Sequence, residues 1–488
     1  MNSLLNSLRT FAIALVVTGG GALAQNGDKA IVDHIESRAQ VYGEVAQQIW
    51  EWAELGYLET KSSKYLQAHL ADEGFEITEG VAGIPTAFLA SYGTGSPVIA
   101  ILAEFDALPG ISQDRSPERN QVAGKNAGHA CGHHLFGTGS VAAAAAVRDW
   151  LQNSGTGGTI RLFGTPAEEG GAGKVYMVRE GLFDDVDIAL HWHAGDQNSA
   201  NPSSTLANKS AKFRFRGISA HAAGAPERGR SALDGVEGMN HMVNMLREHV
   251  PQETRIHYVI TYGGAAPNVI PDFSEVFYYV RNPEPRHVLS IFERVVNAAR
   301  GAALGTGTEM DYEVIHGLYN VLPNVTLSEV MHGNLSRVGG VRYNSDESRF
   351  AATIAESLGS DKTLESAAQI QPLDRDAAER QGTGGSTDVG DVSWTVPTVG
   401  LRTATWVPGT AAHSWQAIAA GGTSIGNKGM MVAAKTLALT AFELFQNPGL
   451  IAKAKAEFER RRGENYTYIP LLGDRDPPLD YRKPPGGR

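Results

Sequence analysis

The chain has 488 residues, 42% hydrophobic and 19% charged, with a formal net charge of -11. That acidic balance argues against nucleic acid as a partner, and the ordinary composition excludes a fibrous or low-complexity protein. The single cysteine, Cys131, excludes an internal disulfide.

Met1 to Arg9 carries one positive charge and is followed by "FAIALVV" and "GALAQ". This is a short basic region, an apolar run and an Ala22-Leu23-Ala24 cleavage pattern. The run falls short of the roughly 20 residues of a spanning helix. Residues 1–24 are therefore expected to be a removable export signal, and the mature protein to be periplasmic or secreted with no membrane association. Removal leaves 464 residues, more than one core usually serves, since domains run to about 100–200 residues.

Next, "VDHIESRAQVYGEVAQQIWEWAEL" and "SSKYLQAHLADEG" carry apolar residues at helical spacing. "PVIAILAEFDALPG" and "TIRLFGTPAEEGG" each read as a buried strand running into a polar loop, with the Ala-rich "GSVAAAAAVRDWLQ" between them as a crossover helix. Such alternation predicts an α/β domain with a mostly parallel sheet, whose sites gather at the carboxyl ends of strands. Near Thr205 the pattern changes. "AKFRFRG", "RSALDGVEGMNHMVNMLREHV", "RIHYVITYGG", "SEVFYYVRN", "RHVLSIFERVVNAARGAA" and "EMDYEVIHG" read in order as βαββαβ. Residues 205–320 are thus expected to form an inserted α+β ferredoxin-like domain within a discontinuous catalytic domain of residues 25–204 and 321–470. Residues 337–382 are polar and irregular around one helix, and the Pro-rich 471–488 is expected as an extended tail packed on the surface.

The thiol stands in "GHACGHH", between His129 and His133, with His134 following. In an exported chain a free thiol is open to oxidation unless it is buried or bound to metal. Cys131, His133, Glu168, Glu169, His193 and His413 together offer thiolate, imidazole and carboxylate, a ligand set for zinc, manganese, cobalt or nickel. Cys131 and His133 are two apart and are expected on one side of extended backbone, Gly132 permitting close approach. The neighbours Glu168 and Glu169 cannot both face one metal from regular structure. This suggests one ligand and one proton carrier, although paired glutamates are also common in surface loops. His191 and His193 alternate on a strand, so only one need be a ligand, and His413 precedes a helix in a Gly/Ala-rich loop. Ligands scattered along the chain suit an enzyme site better than a structural zinc knot.

Taken in order, "AEFDALPG", "GHACGH", "PAEEGG", "DIALHWH", "GISAHAAGAPERGRSALD", "APNVIP", "GGSTDVGDVSW" and "AHSWQ" resemble the dinuclear metal-dependent aminoacylase and carboxypeptidase-G-like amidohydrolases. The likeness is greatest to the branch of hippurate, auxin-conjugate and aminobenzoyl-glutamate hydrolases. It implies two divalent metal ions in each protomer, Mn2+ or Zn2+ with Co2+ and Ni2+ as further candidates. Cys131, His133, Glu169, His193 and His413 are the implied ligands and Glu168 the general base. His193 is preferred to His191 because it lies six residues after Asp187. A thiolate at Cys131 would bind both metals where relatives use aspartate.

By the same resemblance the inserted domain is a lid that mediates dimerisation. His221 of "GISAH" would reach the neighbouring protomer's site to stabilise the oxyanion, and Asn268 and Arg281 would bind substrate near its carboxylate. A homodimer is expected, with a heteromeric pairing as the other arrangement. His134 departs from the branch, where aspartate or asparagine stands. The implied activity is hydrolysis of the amide bond of N-acyl or N-aroyl amino acids such as aminobenzoyl-glutamate. The alternatives are a broad carboxypeptidase or dipeptidase and a non-catalytic periplasmic binding protein on the same scaffold.

Overall fold

A computed structural model describes residues 19–464 and 466–483. Most of the expected export signal lies outside the described residues; Gly19 to Ala24 open a helix, Gly19–Ser37. No helix among the described residues is long and apolar enough to cross a membrane.

Six strands form the main sheet: β1 (Glu76–Glu79), β2 (Phe88–Thr94), β3 (Val98–Ala103), β4 (Gly158–Gly164), β5 (Ile188–Gly195) and, after a long excursion, a last strand Thr398–Ala404. Between them the chain builds β6 (Ala207–Arg216), β7 (Arg255–Tyr262), β8 (Phe273–Asn282) and β9 (Glu309–Leu318), which makes the last strand β10. The main sheet runs β1-β2-β4-β3-β5-β10. The four strands β4, β3, β5 and β10 are parallel, with β10 at one edge, and β2 and β1 complete the other edge antiparallel. Strand β3 is buried at every residue, as the unbroken apolar run "VIAILA" requires of a strand covered on both faces. The chain leaves β3 for β4 on one side and then crosses to β5 on the other. The order therefore reverses at β3, where open α/β sheets place their sites.

The helix His133–Ser154 packs against this sheet and against Ser424–Gln446. It begins six residues before the Ala-rich stretch that announces it, so that His133 is its first residue. Its small side chains, Ala142 to Ala146, are essentially inaccessible, letting it lie close to its neighbours.

Residues 207–318 follow the order βαββαβ, with an antiparallel sheet β9-β6-β8-β7 and the helices Ala232–Leu246 and Pro285–Thr306 packed on it. They enclose their own core, around Phe213, Phe215, Tyr278, Phe292 and Val295, distinct from that of the main sheet. Strand β7 is an edge, and Tyr258, Val259, Ile260 and Tyr262 on it are exposed. Such an edge is a ready pairing surface. The tail departs from the sequence reading: Leu471 and Leu472 are buried, and the chain beyond them runs into the site described below.

Phe213 is fully buried among Tyr278, Phe292 and Tyr312. Phe213→Ala is expected to destabilise this unit by about 3–5 kcal/mol. Hydrogen exchange should rise first in residues 207–318 while the His133–Ser154 helix stays protected.

Candidate active site and metal centre

The site assembles at the carboxyl ends of the inner strands. Strand β3 hands over to Glu104, Phe105 and Asp106, β4 to the loop carrying Glu168 and Glu169, and β5 carries His193 near its end. Cys131 and His133 arrive from the crossover. They do not share extended backbone as expected. Gly132 takes left-handed angles, φ 78° and ψ 19°, turning the chain from Cys131 into the helix that His133 opens. A side chain there would also meet Ala194 Cβ at 2.4 Å, so glycine is required twice over.

Cys131 Sγ lies 3.5 Å from His193 Nε2. The thiol belongs to two groups whose ligand atoms lie within 4.8 Å of one another: Cys131, His133 and His193, and Cys131, Glu169 and His413. The imidazoles are oriented by their other nitrogens. His193 Nδ1 donates to its neighbour Ala194's carbonyl at 2.8 Å, and His133 Nδ1 donates to Asp106 Oδ1 at 2.9 Å. When neutral, both leave Nε2 with a lone pair toward the cluster, the arrangement that fixes a metal-binding tautomer. Burial would lower the His133 ring, but the charges of Glu104, Cys131 and Asp106 outweigh it and raise it well above the ordinary value, so its ring proton is what a cation would displace. Asp106 Oδ2 accepts the Glu169 backbone N–H at 2.9 Å. His413, at φ 62°, donates its N–H to Ala130 O at 2.9 Å, and its Nε2 is 3.3 Å from Glu169 Oε1.

Backbone strain gathers here. Ala167, immediately before the glutamates, has φ 59° and Ala172 has φ 62°. Buried Glu59 holds the first of these, accepting the Ala167 N–H at 2.8 Å while Thr86 Oγ1 donates to its other oxygen at 3.1 Å.

Glu168 joins a third group with Glu104 and His133. Burial, then the charges of Glu104 and Glu169, push its carboxyl well above the ordinary range. Glu104 and Asp106 stand in the quoted "AEFDALPG", but their tasks were not legible. Lys174 and Asp388 were missed altogether. Lys174, fully buried, places Nζ 2.7 Å from Glu104 Oε1 and 2.6 Å from Asp388 Oδ1. The signal was a lysine inside the small and apolar stretch "GGAGKVYM", a poor setting for an unpaired charge.

These residues fit divalent metal. Glu104, Asp106, Glu168, Glu169 and Asp388 crowd around one lysine and neutralisable imidazoles, an excess of negative charge that dications balance. Among the described residues, buried His133 Nε2 and Glu104 Oε2 are 3.1 Å apart yet make no hydrogen bond, and buried Glu169 Oε1 has only the 3.3 Å approach of His413 Nε2. Burial, followed by Glu169, holds the Cys131 thiol well above its usual range. A bound cation is what would make it a thiolate.

The remaining candidates divide. His191 belongs to none of the ligand groups; it packs against Gly400, where a Cβ would meet its Nε2 at 2.2 Å. His134 and His129 turn away, bonding the carbonyls of Gly421 at 3.0 Å and Ile49 at 3.1 Å, so the odd residue of the motif braces the helix Trp415–Gly421. Arg281 is half-buried beside Tyr279. His221 and Asn268 are exposed on the inserted unit, where Ala222 donates to the Asn268 carbonyl at 3.0 Å. No hydrogen bond or ion pair joins either side chain to the Cys131 cluster among the described residues. His221 Nδ1 accepts the N–H groups of Ala223 at 3.2 Å and Gly224 at 3.1 Å, which leaves Nε2 as the protonated nitrogen.

Residues 100–419 match the family model of peptidase family M20/M25/M40. The chain belongs to this family. It is 42% identical to one component of the p-aminobenzoyl-glutamate hydrolase of Escherichia coli, across 90% of this chain and 96% of that one. It is 29% identical to the Xaa-Arg dipeptidase of Mus musculus, across 88% and 91%. Among solved structures, a dinuclear metal-binding M20 peptidase from Bacillus subtilis superposes with TM-score 0.56 at 18% identity, covering 84% of this chain and 99% of that one. An aminobenzoyl-glutamate utilization protein from Klebsiella pneumoniae gives 0.57 at 19%, covering 84% and 97%. The M20 fold and a metal-dependent amidohydrolase are therefore what this sequence encodes.

Lys174→Met keeps the volume but leaves Glu104 and Asp388 facing each other without a cation. A loss of about 3–5 kcal/mol is expected in chemical denaturation. Adding Asp388→Asn should restore part of it, a coupling that a double-mutant cycle reads directly.

Proposed function

We propose that this M20 enzyme hydrolyses the amide bond of N-acyl or N-aroyl amino acids, aminobenzoyl-glutamate among them. The observation that carries the reading is the shared thiol. Cys131 belongs to both ligand groups, Cys131–His133–His193 and Cys131–Glu169–His413, so one sulfur can join two metal sites with Glu168 beside them. The substrate class is supported by the 42% likeness to the p-aminobenzoyl-glutamate hydrolase component.

Two divalent ions, Mn2+ or Zn2+ with Co2+ or Ni2+ as alternatives, would be held by those five residues and would supply carbonyl polarisation and a lowered pKa for the attacking water. Asp106 fixes His133 and Glu169 through its two oxygens. Glu168 takes the proton from the water and returns it to the departing amine nitrogen. His221, protonated on Nε2, donates to the oxyanion, and since it is exposed, with no hydrogen bond or ion pair to its own cluster among the described residues, we take a partner protomer as the source. Asn268 and Arg281 hold the substrate near its carboxylate. A homodimer through the inserted unit would suffice, with the exposed edge β7 as a surface for it. A heteromeric alternative is supported by the Escherichia coli relatives, which include two different components of p-aminobenzoyl-glutamate hydrolase, 42% and 28% identical to this chain. We further propose export, on the n-region, apolar run and Ala22-Leu23-Ala24 of residues 1–24; cell fractionation finding full-length chain in the cytoplasm would remove it.

A dipeptidase is the second reading, on the 29% likeness to the Xaa-Arg dipeptidase. Turnover of aminobenzoyl-glutamate, hippurate, acetyl-amino acids and dipeptides by the metal-loaded protein separates the two. Glu168→Ala should abolish turnover while metal content survives, and Cys131→Ala should lose both. Full activity in Glu168→Ala would sink the mechanism.

Mixing offers a further check. Glu168→Ala and His221→Ala should each be inactive alone. Re-associated in equal amounts, they should regain roughly a quarter of wild-type activity, because half the dimers are mixed and each of these holds one complete site. No recovery after verified exchange of protomers would place the oxyanion donor elsewhere.

A further inference from the structure

The C-terminal segment does more than cover surface. Tyr319 donates through its hydroxyl to Ile469 O at 3.0 Å, Leu471 packs against Gly317 of β9, and Arg475 pairs with Glu313 of the same strand at 2.9 Å. The carbonyls of Arg475 and Asp476 then accept from Arg179 and Tyr176 at 2.6 and 3.4 Å, both in the helix Gly173–Arg179. The segment thus crosses from the inserted unit to the main domain before it reaches the site. There Tyr481 stands edge-on to Tyr57, ring centres 5.6 Å apart, and its hydroxyl donates to the Glu169 carbonyl at 3.1 Å. Arg482 donates to that same carbonyl through Nη2, while its Nε is buried with no partner among the described residues.

Arg281 approaches from β8. Its Nε too is buried with no partner among the described residues, and its guanidinium lies 5.4 Å from the Tyr279 ring centre. Tyr279 in turn stands edge-on to His316, ring centres 4.9 Å apart, and Arg482 Nη2 lies 3.6 Å from where a Cβ on Gly170 would sit, so the charges of Arg281 and Arg482 both bear on the Tyr279 and His316 rings. Burial, then Arg281, hold the His316 imidazole down to about 3, so it is neutral and adds no charge. Arg475 is matched by Glu313. Arg281 and Arg482 meet no carboxylate among the described residues. Two half-buried guanidinium forks without a counter-ion, that of Arg482 on the Glu169 carbonyl and that of Arg281 over Tyr279, suit a ligand with two anionic groups.

We propose that Arg482, delivered by the C-terminal tail, is a specificity residue that receives the side-chain carboxylate of an acidic amino acid on the leaving side of the amide. Arg281 takes the main-chain carboxylate of the same residue. The inference rests on the amidohydrolase reading above and adds to it a determinant in the tail, well beyond the last ligand motif at His413. Arg482 also touches Glu169 through the carbonyl, so a purely supporting role must be distinguished from recognition.

The test compares metal-loaded wild type, Arg482→Gln and Arg482→Lys. It measures kcat/KM on aminobenzoyl-glutamate and aminobenzoyl-glutamine, and binding of L-glutamate and L-glutamine by calorimetry. The preference for glutamate over glutamine should fall on the order of 10- to 100-fold in Arg482→Gln. The loss should be mainly in KM, with a parallel fall in L-glutamate affinity and partial retention in Arg482→Lys. An equal loss on both substrates together with lost metal would make Arg482 a support for Glu169 and overturn the proposal. So would a wild type that treats the two substrates alike. A wild type that cleaves neither amide but binds L-glutamate through Arg482 would defeat the amidohydrolase reading and leave the acidic-ligand site standing.

Discussion

Asp106 is the residue on which the site turns. Its two oxygens take one proton donor from each half of the centre, the His133 ring and the Glu169 backbone N–H. Burial alone would raise its carboxyl, but the His133 charge and these hydrogen bonds outweigh it and hold it below the ordinary value. A carboxylate that stays ionised in the interior is a rigid template. It fixes the ring that serves the Cys131–His133–His193 group and the strand-end loop that serves Cys131–Glu169–His413. Only at the end of β3 can one residue do both, because β4 and β5 leave that strand on opposite sides.

The remaining charges follow from this choice. An interior holding Glu104, Glu168 and Asp388 next to Asp106 is strongly self-repelling in low dielectric. Lys174 relieves part of the repulsion by bridging Glu104 and Asp388. What it leaves over is the negative potential a pair of dications would use. The strain at Ala167, held by Glu59, belongs to the same design, since the two adjacent glutamates after it join different candidate ligand groups. Regular backbone would have pointed Glu168 and Glu169 to opposite sides.

The strands and the order of the inserted unit were legible because each is a stretch of residues acting together. "VIAILA" can only be a doubly covered strand, and six alternating or helical stretches after Thr205 leave one economical topology. The side chains that gather into candidate ligand groups could be picked out by their chemistry. The turn at Gly132 was not, since a glycine between a cysteine and a histidine fits extended backbone as well as a left-handed helix start. Nor were the pairings of single residues far apart, such as Lys174 with Asp388 or Arg482 with the Glu169 carbonyl. Such contacts have no period, and nothing local marks one charged residue of a Pro-rich tail as different from its neighbours. Sequence alone therefore leaves the tail on the surface.

In the proposed dimer, His221 is what would join the exposed residues to the buried ones. The two backbone N–H groups that its Nδ1 accepts fix its tautomer before any substrate arrives, so its donor is preorganised. A preorganised donor is of little use in bulk water, where its field is screened; it must be covered to act. The unit that carries His221 also carries the uncovered apolar edge of β7. In the dimeric arrangement proposed above, pairing that edge would exclude water and deliver the imidazole in one event. Separate acts of closure would each carry their own ordering entropy. Arg281, on the strand beside that edge, and the tail that binds β9 would then be positioned by the same docking. Substrate recognition and oxyanion stabilisation would thereby depend on a single interface.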